Sequence, residues 1–529
     1  MTLEAFVDAA ACDSRSPELQ TRARELIAAS KMEDWVRSIN LGHVDGVRRL
    51  IESFQYPCDV VDDEGWSPVY RAAHFDHYDI VVLLYEHGAD PCQENAVTSE
   101  RGHAGRQPIH TAAANGHVEI LRWLLAHNAR LTDRTKNGNT PLHLACQHGQ
   151  WKTVDVLREA YEAHGITSLW QAALSDVNLI GEQPVHLAAM GASECEEGFD
   201  VSHLRANEWR YFRTLKLLLD AGAEVNADSA PCGKTPLIAA CAAAFSCQSD
   251  VLNDDGSTVV SPLLRRAMVD LLLDRGASVE STLTEGKFAG STALMMTVLT
   301  TGLFQRTGRD QQSVYVPLAQ LLLRHGADVN RACPTLLNAT PLIIACEHEC
   351  ADMARLLLRE GASVNAQRMD GARALHIAVD RRTSPLGIVR LLLESGAEAD
   401  CTAWDDHPAS TPLLCAIRAH NVEMVELLLE HGASVDYAPC SGTTPLRAAR
   451  HEDYEHGHLT NACSRIHSLL KDYGALDVSP RPLGRQESRL RDRARPIYGL
   501  ALDVDSTLHN RRLRRELSRP GHRAESHRT

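Results

Sequence analysis

Two carboxylates separated by one residue, Asp503 and Asp505, stand directly after the apolar run from Ile497 to Leu502. Carboxylates placed this way at the end of a strand can share nucleophilic and acid/base work at one centre. A second candidate is Cys346, His348 and Cys350. On a helix the two cysteines fall at i and i+4, on one face, as two metal ligands would. Zinc sites, however, use two separated ligand pairs, and no second pair stands nearby. His451, His456 and His458, with Glu452 and Asp453, match no metal-binding spacing. His110, His143, His186 and His376 occupy the same place in a recurring phrase. That points to a structural duty repeated along the chain rather than to catalysis. A Gly-rich phosphate loop, a kinase signature and a triad phrase are all missing. The sequence therefore assigns no catalytic residue, no metal ligand and no cofactor.

The recurring phrase organises everything else. Its clearest copy is Thr140-Pro141-Leu142-His143-Leu144-Ala145, and others open at Gln107, Gln183, Thr340 and Thr444. Taking the proline position of each copy gives Pro68, Pro108, Pro141, Pro184, Pro236, Ala293, Pro341, Ala374, Pro412 and Pro445. Three of the nine gaps are 33 residues, and the longer gaps read as insertions. Downstream of most copies comes a Leu-Leu-Leu run and then Gly-Ala, as at Leu356 to Ala362. The residues explain the pattern. Thr caps a helix, and Pro at the first helical position loses no needed hydrogen bond. Small and apolar residues follow, Gly breaks the helix, and a second helix carries the leucines. One such pair cannot bury its own apolar faces, so neighbours must stack.

Phrase, order and spacing resemble the ankyrin repeat over roughly residues 31–475. The resemblance implies an all-α repeat solenoid of about eleven helix-turn-helix units joined by β-hairpin loops. It also implies protein binding through the hairpin tips and the concave face of the inner helices. The shared histidine would tie a helix start to the neighbouring turn. Asn226, Asn330 and Asn365 each close a Gly-Ala-x-Val-Asn phrase. Similar asparagines in ankyrin proteins are hydroxylated, which makes these three candidate modification sites. Two weaker resemblances concern the C-terminal region. Asp503 to Thr507 resembles the first motif of haloacid-dehalogenase-type phosphatases, where the first Asp is the nucleophile and the second the acid/base. Ser506 stands where that family has Gly, and the 22 residues after Thr507 are too few for its α/β domain. Pro480 to Leu483 resembles the opening of a SOCS box, although Gln486-Glu487-Ser488 replaces the expected Leu-Cys-Arg. A SOCS box would make the chain a substrate-recognition adaptor of a cullin-type ubiquitin ligase.

Charge is unevenly spread. Residues 476–529 hold 13 Arg against 7 acidic residues, a net +6, while the remainder carries a net −21. An acidic array disfavours nucleic acid and favours protein partners with basic or neutral surfaces. The basic segment would bind import receptors, through Arg489 to Arg495 or Arg511 to Arg515, or fold onto the array. No apolar run is long enough for a membrane span. The start of the chain has no basic n-region, so a secretory signal is not expected. Fifteen cysteines, an odd number at irregular spacing, argue against a disulfide framework. Cys146, Cys241 and Cys346 share a small-residue slot of the repeat and should be buried. These features place the chain in the cytoplasm, with nuclear entry open through the basic segment.

The expected organisation is a helical cap at residues 1–30, an array at 31–475 and a flexible Arg-rich tail at 476–529. Inserts between paired helices fall near residues 191–207, 246–261 and 301–313. Candidate partner contacts, placed near hairpins and expected to be exposed, are Trp66, Asn137, Arg368 and Trp404.

Overall fold

The structure is a computed structural model, and it describes residues 32–54, 57–95, 105–163, 167–191, 209–242, 262–306, 312–380, 386–402, 411–437, 444–449 and 461–475. Among these residues the chain is helical, and extended pairing is limited to three isolated bridges, such as Cys333 with Ala339. Contacts divide the chain into two compact units. The first comprises Met1–Ala243 with Thr258–Glu285, and the second Ala244–Ser257 with Gly286–Thr529.

In the first unit, α1 (residues 32–40) and α2 (Val44–Phe54) precede a series of helix pairs. These are α3 (Pro68–His74) with α4 (Tyr78–Glu86), and α5 (Pro108–Asn115) with α6 (Val118–Ala126). Next come α7 (Pro141–Gln147), α8 (Trp151–Ala163) and an additional α9 (Thr167–Leu174). The unit closes with α10 (Pro184–Met190), α11 (Trp209–Asp220), α12 (Pro236–Cys241) and α13 (Pro262–Asp274). Inner helices α3, α5, α7, α10 and α12 pack in succession, and outer helices α4, α6, α8, α11 and α13 do the same.

The second unit repeats the scheme. It holds α14 (Ala293–Arg306), α15 (Gln312–Arg324), α16 (Pro341–Glu347), α17 (Ala351–Arg359), α18 (Ala374–Asp380) and α19 (Leu386–Glu394). After these come α20 (Pro412–Arg418), α21 (Val422–Glu430), α22 (residues 445–449) and α23 (Asn461–Asp472).

Local chemistry sets the helix ends. Thr140, Thr235 and Thr411 lie in extended backbone and accept a bond from the N–H three residues on, with Pro following. Each such cap contributes about 1 kcal/mol. Gly116 ends α5 at φ 86°, a conformation that costs a side chain-bearing residue more. The leucine runs then fill the space between inner and outer layers: Leu121, Leu157, Leu218, Leu357 and Leu428 have no exposed surface. Each contributes about 1.5–3 kcal/mol by leaving water. Cys146, Cys241 and Cys346 are fully buried among them, as their slot in the repeat requires.

One expectation about the inserts needs correction. The stretch at 301–313 is not simply a loop insert. Residues to Arg306 continue α14, and α15 begins at Gln312. The threonines of this stretch turn inward. Thr297, Thr300 and Thr301 are buried, and their hydroxyls donate to the carbonyls of Ala293, Met296 and Thr297 at 2.6–2.8 Å. That back-bonding lets a polar side chain sit inside the helix packing. The longer gap between Pro141 and Pro184 is filled by a lengthened α8 and by α9. Trp170, Ala173 and Leu174 of α9 are buried at the i, i+3, i+4 spacing of a packed helix. Gly191 ends α10, while the bodies of the first two inserts, the helical cap and the basic tail lie outside the described residues.

Candidate protein-docking surface

The hairpin loops are held by a repeated histidine. In His143, Nδ1 accepts the backbone N–H of Thr140 at 3.3 Å, and Nε2 lies 3.2 Å from the carbonyls of Asp176 and Glu182 in the next loop. His110 makes the same bridge, from Gln107 N–H (3.1 Å) to the Asp133 carbonyl (3.0 Å). His186 spans from Gln183 to the Ala227 carbonyl at 2.9 Å. A ring that accepts at one nitrogen and donates at the other must be neutral. Burial enforces this, lowering His110 and His143 to about 4 and lowering His186 as well. His376 keeps the first half of the pattern, its Nδ1 accepting from Arg373 N–H, and its ring also meets Cys401 Sγ, 3.5 Å from Nδ1 and 3.9 Å from Nε2. These histidines are structural pins.

A second set of ties runs through the asparagines. Asn330 Oδ1 accepts from Ser363 N–H at 2.7 Å, and its amide donates to the Gly361 carbonyl at 3.3 Å. Asn226 and Asn365 grip the next turn in the same way, at Ser278 with Gly276 and at Glu398 with Gly396. The amide at each candidate modification site therefore already bonds at both ends within the repeat stack.

With the loops fixed, their tips present side chains outward. In the first unit Asn137 is exposed, and its carbonyl accepts the N–H of Leu179 at 3.0 Å. Leu179 itself is 76% exposed, and Val177 beside it is also exposed. In the second unit the N–H of Met369 bonds the carbonyl of Leu337 at 2.8 Å, and both side chains are exposed. Leucine and methionine held out in water by a rigid loop are what a docking surface offers. Sequence reasoning missed these four because it chose aromatic, charged and amide residues; the signal was an apolar residue beside a turn asparagine or aspartate.

The other chosen contacts fare differently. Trp66 is buried, not exposed. It packs edge-on against Tyr70, with Arg71 4.6 Å from its ring, and Arg71 is in turn held by Asp62 and Glu64. Only 10% of the Arg368 side chain is exposed, because it folds back to Asp370 at 2.7 Å. The loop position was right in both cases, but a neighbouring charge or ring drew the side chain inward. Trp404 lies outside the described residues, as do His451, His456, His458, Asp503 and Asp505. Cys346 is a buried thiol pushed up to about 12 by burial, the opposite of what a metal ligand needs. Among the described residues there is no cluster of His, Cys, Asp and Glu that would hold a metal ion.

Comparison with known proteins agrees with this geometry. Family models described as ankyrin repeats match residues 94–168, 311–405 and 389–459, and a further one matches 33–85. The chain belongs to the ankyrin repeat family. Ankyrin repeats bind other proteins, so this one carries a protein-binding array. It is 29% identical over 196 residues to NF-kappa-B inhibitor cactus of Drosophila yakuba, covering 33% of this chain and 35% of that protein. A probable E3 ubiquitin-protein ligase of Oryza sativa, XBOS33, is 28% identical over 185 residues, 32% of this chain and 34% of its own length. NF-kappa-B inhibitor alpha of Gallus gallus is 38% identical over 65 residues, 12% of this chain and 20% of its own. The match thus spans about a third or less of each of these relatives. No described helix of this ankyrin protein is long and apolar enough to cross a membrane.

Proposed function

We propose that the chain is a scaffold or adaptor that recognises partner proteins and carries out no reaction of its own. The observation that supports this best is the set of apolar side chains held outward at hairpin tips, led by Leu179. A rigid surface gives up little conformational freedom on binding, so its contacts go largely into affinity. A specific complex needs about 1,200–2,000 Å² of buried surface, which rows of such tips and adjoining inner helices can supply. The net −21 outside residues 476–529 favours partners with basic or neutral faces and sets encounter rate more than affinity. Free, buried thiols such as Cys146 and Cys346 fit a reducing compartment, hence the cytoplasm, with the Arg-rich segment available for nuclear import.

Affinity purification with cross-linking mass spectrometry tests the reading, comparing the full chain, a 1–475 truncation and Leu179→Asp. Retention of the main partner by the truncation, with cross-links beside Leu179 or Met369, supports array recognition. Loss of the main partner with residues 476–529, together with cullin subunits recovered only by the full chain, would establish the ligase-adaptor alternative instead. An unchanged partner set in Leu179→Asp would remove the hairpin tip around Leu179 from the contact.

A further inference from the structure

Helix α9 interrupts the two-helix rhythm of the first unit, and its position has a consequence for the outer layer. Trp170 of α9 packs on Tyr161 of α8, with ring centroids 5.8 Å apart. Gln171 donates its side-chain N–H to the carbonyl of Ala221, just beyond the end of α11, at 3.1 Å. Helices α8 and α11 are neighbours. With α9 against their C-terminal ends, they enclose a groove of about 650 Å³. Trp151 borders it near the start of α8, Trp170 near the end, and Leu217 on the α11 wall.

Charge in this groove is sorted. Its acids are already paired. Asp155 and Glu162 meet Arg158 at 2.6 and 3.1 Å, and Asp220 meets Arg275 at 2.5 Å. Two cations are not. Arg213 and Lys216 project from α11, both are exposed, and neither has an ion-pair partner among the described residues. Arg213 lies 5.4 Å from the centre of the Trp151 ring, and Lys152 lies over the same ring at 5.8 Å. The uncompensated charge here is positive, in a chain whose net charge is −15. Trp170 adds an independent sign. Its indole is 4% exposed, and its N–H has no acceptor among the described residues. A buried donor in that state is costly, which marks the Trp170 wall as the strained side of the groove.

We propose that this groove docks an acidic segment of a partner protein. A leucine- or phenylalanine-like side chain seats between Trp151, Leu217 and Trp170. Flanking Asp or Glu carboxylates meet Arg213 and Lys216. The site belongs to the outer helices and uses neither hairpin tips nor inner helices, so it is independent of the surface proposed above.

The test is a phage-displayed library of random peptides panned on the full chain, with counter-selection on an Arg213→Glu/Lys216→Glu double variant. Both residues are exposed, so the variant should keep the parent's thermal midpoint; comparing the two midpoints checks this. The expected result is enrichment of peptides combining Asp or Glu with an apolar residue. Their affinity falls at least tenfold on the variant, and a carbodiimide cross-link joins their carboxylates to Lys216 or Lys152. Four outcomes would overturn the proposal: no peptide that distinguishes the two proteins, discriminating peptides that are basic or uncharged, cross-links placed elsewhere, or acidic peptides that bind only after Glu194, Glu196, Glu197 and Asp200 are neutralised. The last would mean that the chain's own acids hold the groove.

Discussion

Lowering the pH from 7 to 5 should loosen the first unit through its histidine pins. His110 and His143 titrate near 4 in the fold, against 6.5 when free, because burial penalises the charged ring. The unfolded chain therefore binds more protons than the folded one between those values. Stability contributed by each neutral ring is present above pH 6.5 and is lost progressively as the pH falls towards 4. At pH 5 the loss is about 2 kcal/mol for each histidine. Together they remove roughly 4 kcal/mol, a large part of what a domain of this kind holds in reserve. His186, shifted in the same direction, adds to the effect. Urea unfolding followed by tryptophan fluorescence at pH 7 and pH 5 measures the loss. Carboxylates contribute too, so the informative comparison is with a His110→Gln/His143→Gln variant. That variant starts less stable at pH 7 but should lose about 4 kcal/mol less on acidification. A second reading, free of folding complications, is the proton titration of the two rings by NMR in labelled wild-type protein. Equal acid losses in both proteins, or rings that titrate near 6.5, would refute the argument.

Other expectations follow from particular contacts. Gly181→Ala should destabilise the first unit by more than about 2 kcal/mol in urea melts, since φ is 82° and a Cβ would stand 1.6 Å from the Ala230 carbonyl oxygen. Asn330→Ala, which removes two bonds to the following turn, should cost about 1 kcal/mol, and Asn365→Ala the same. Leu179→Asp should change the unfolding free energy in urea melts by no more than a surface change does, about 0.5 kcal/mol, while weakening partner capture at least tenfold. Iodoacetamide on native protein should label half-exposed Cys92 before Cys146 or Cys346, and urea should abolish the difference, as mass spectrometry of digests would show.

The repeat architecture was legible because it rests on short-range rules. A capping Thr, a Pro at the first helical position and a breaking Gly act within one turn of backbone, so their recurrence survives in the sequence. Histidine pins were legible for the same reason, being fixed relative to the cap. What failed depended on which partner each side chain finds, near or far along the chain. Trp66 was taken as exposed from its loop position, yet it is drawn inward by Arg71, which also reaches Asn40 at 3.1 Å. Thr297, Thr300 and Thr301 sit inside α14 because their hydroxyls find carbonyls one turn back. Helix α9 was hidden because a 43-residue gap says only that chain was added, not how it folds. The groove beside it depends on which charges find partners, and no spacing rule reveals that.

The asparagine ties carry a last implication. Asn330 grips the turn at Gly361, and Asn365 grips an equivalent turn at Gly396 with the same two bonds. Both ends of every such joint are alike, so the junctions are interchangeable. Excising residues 331–365 would bring Asn330 to the place of Asn365, facing Gly396, and leave no donor or acceptor of that tie stranded. A chain joined this way can gain or lose a whole hairpin by recombination within the gene and still close its seams. Array length is then something evolution, or a protein engineer, can adjust in single steps.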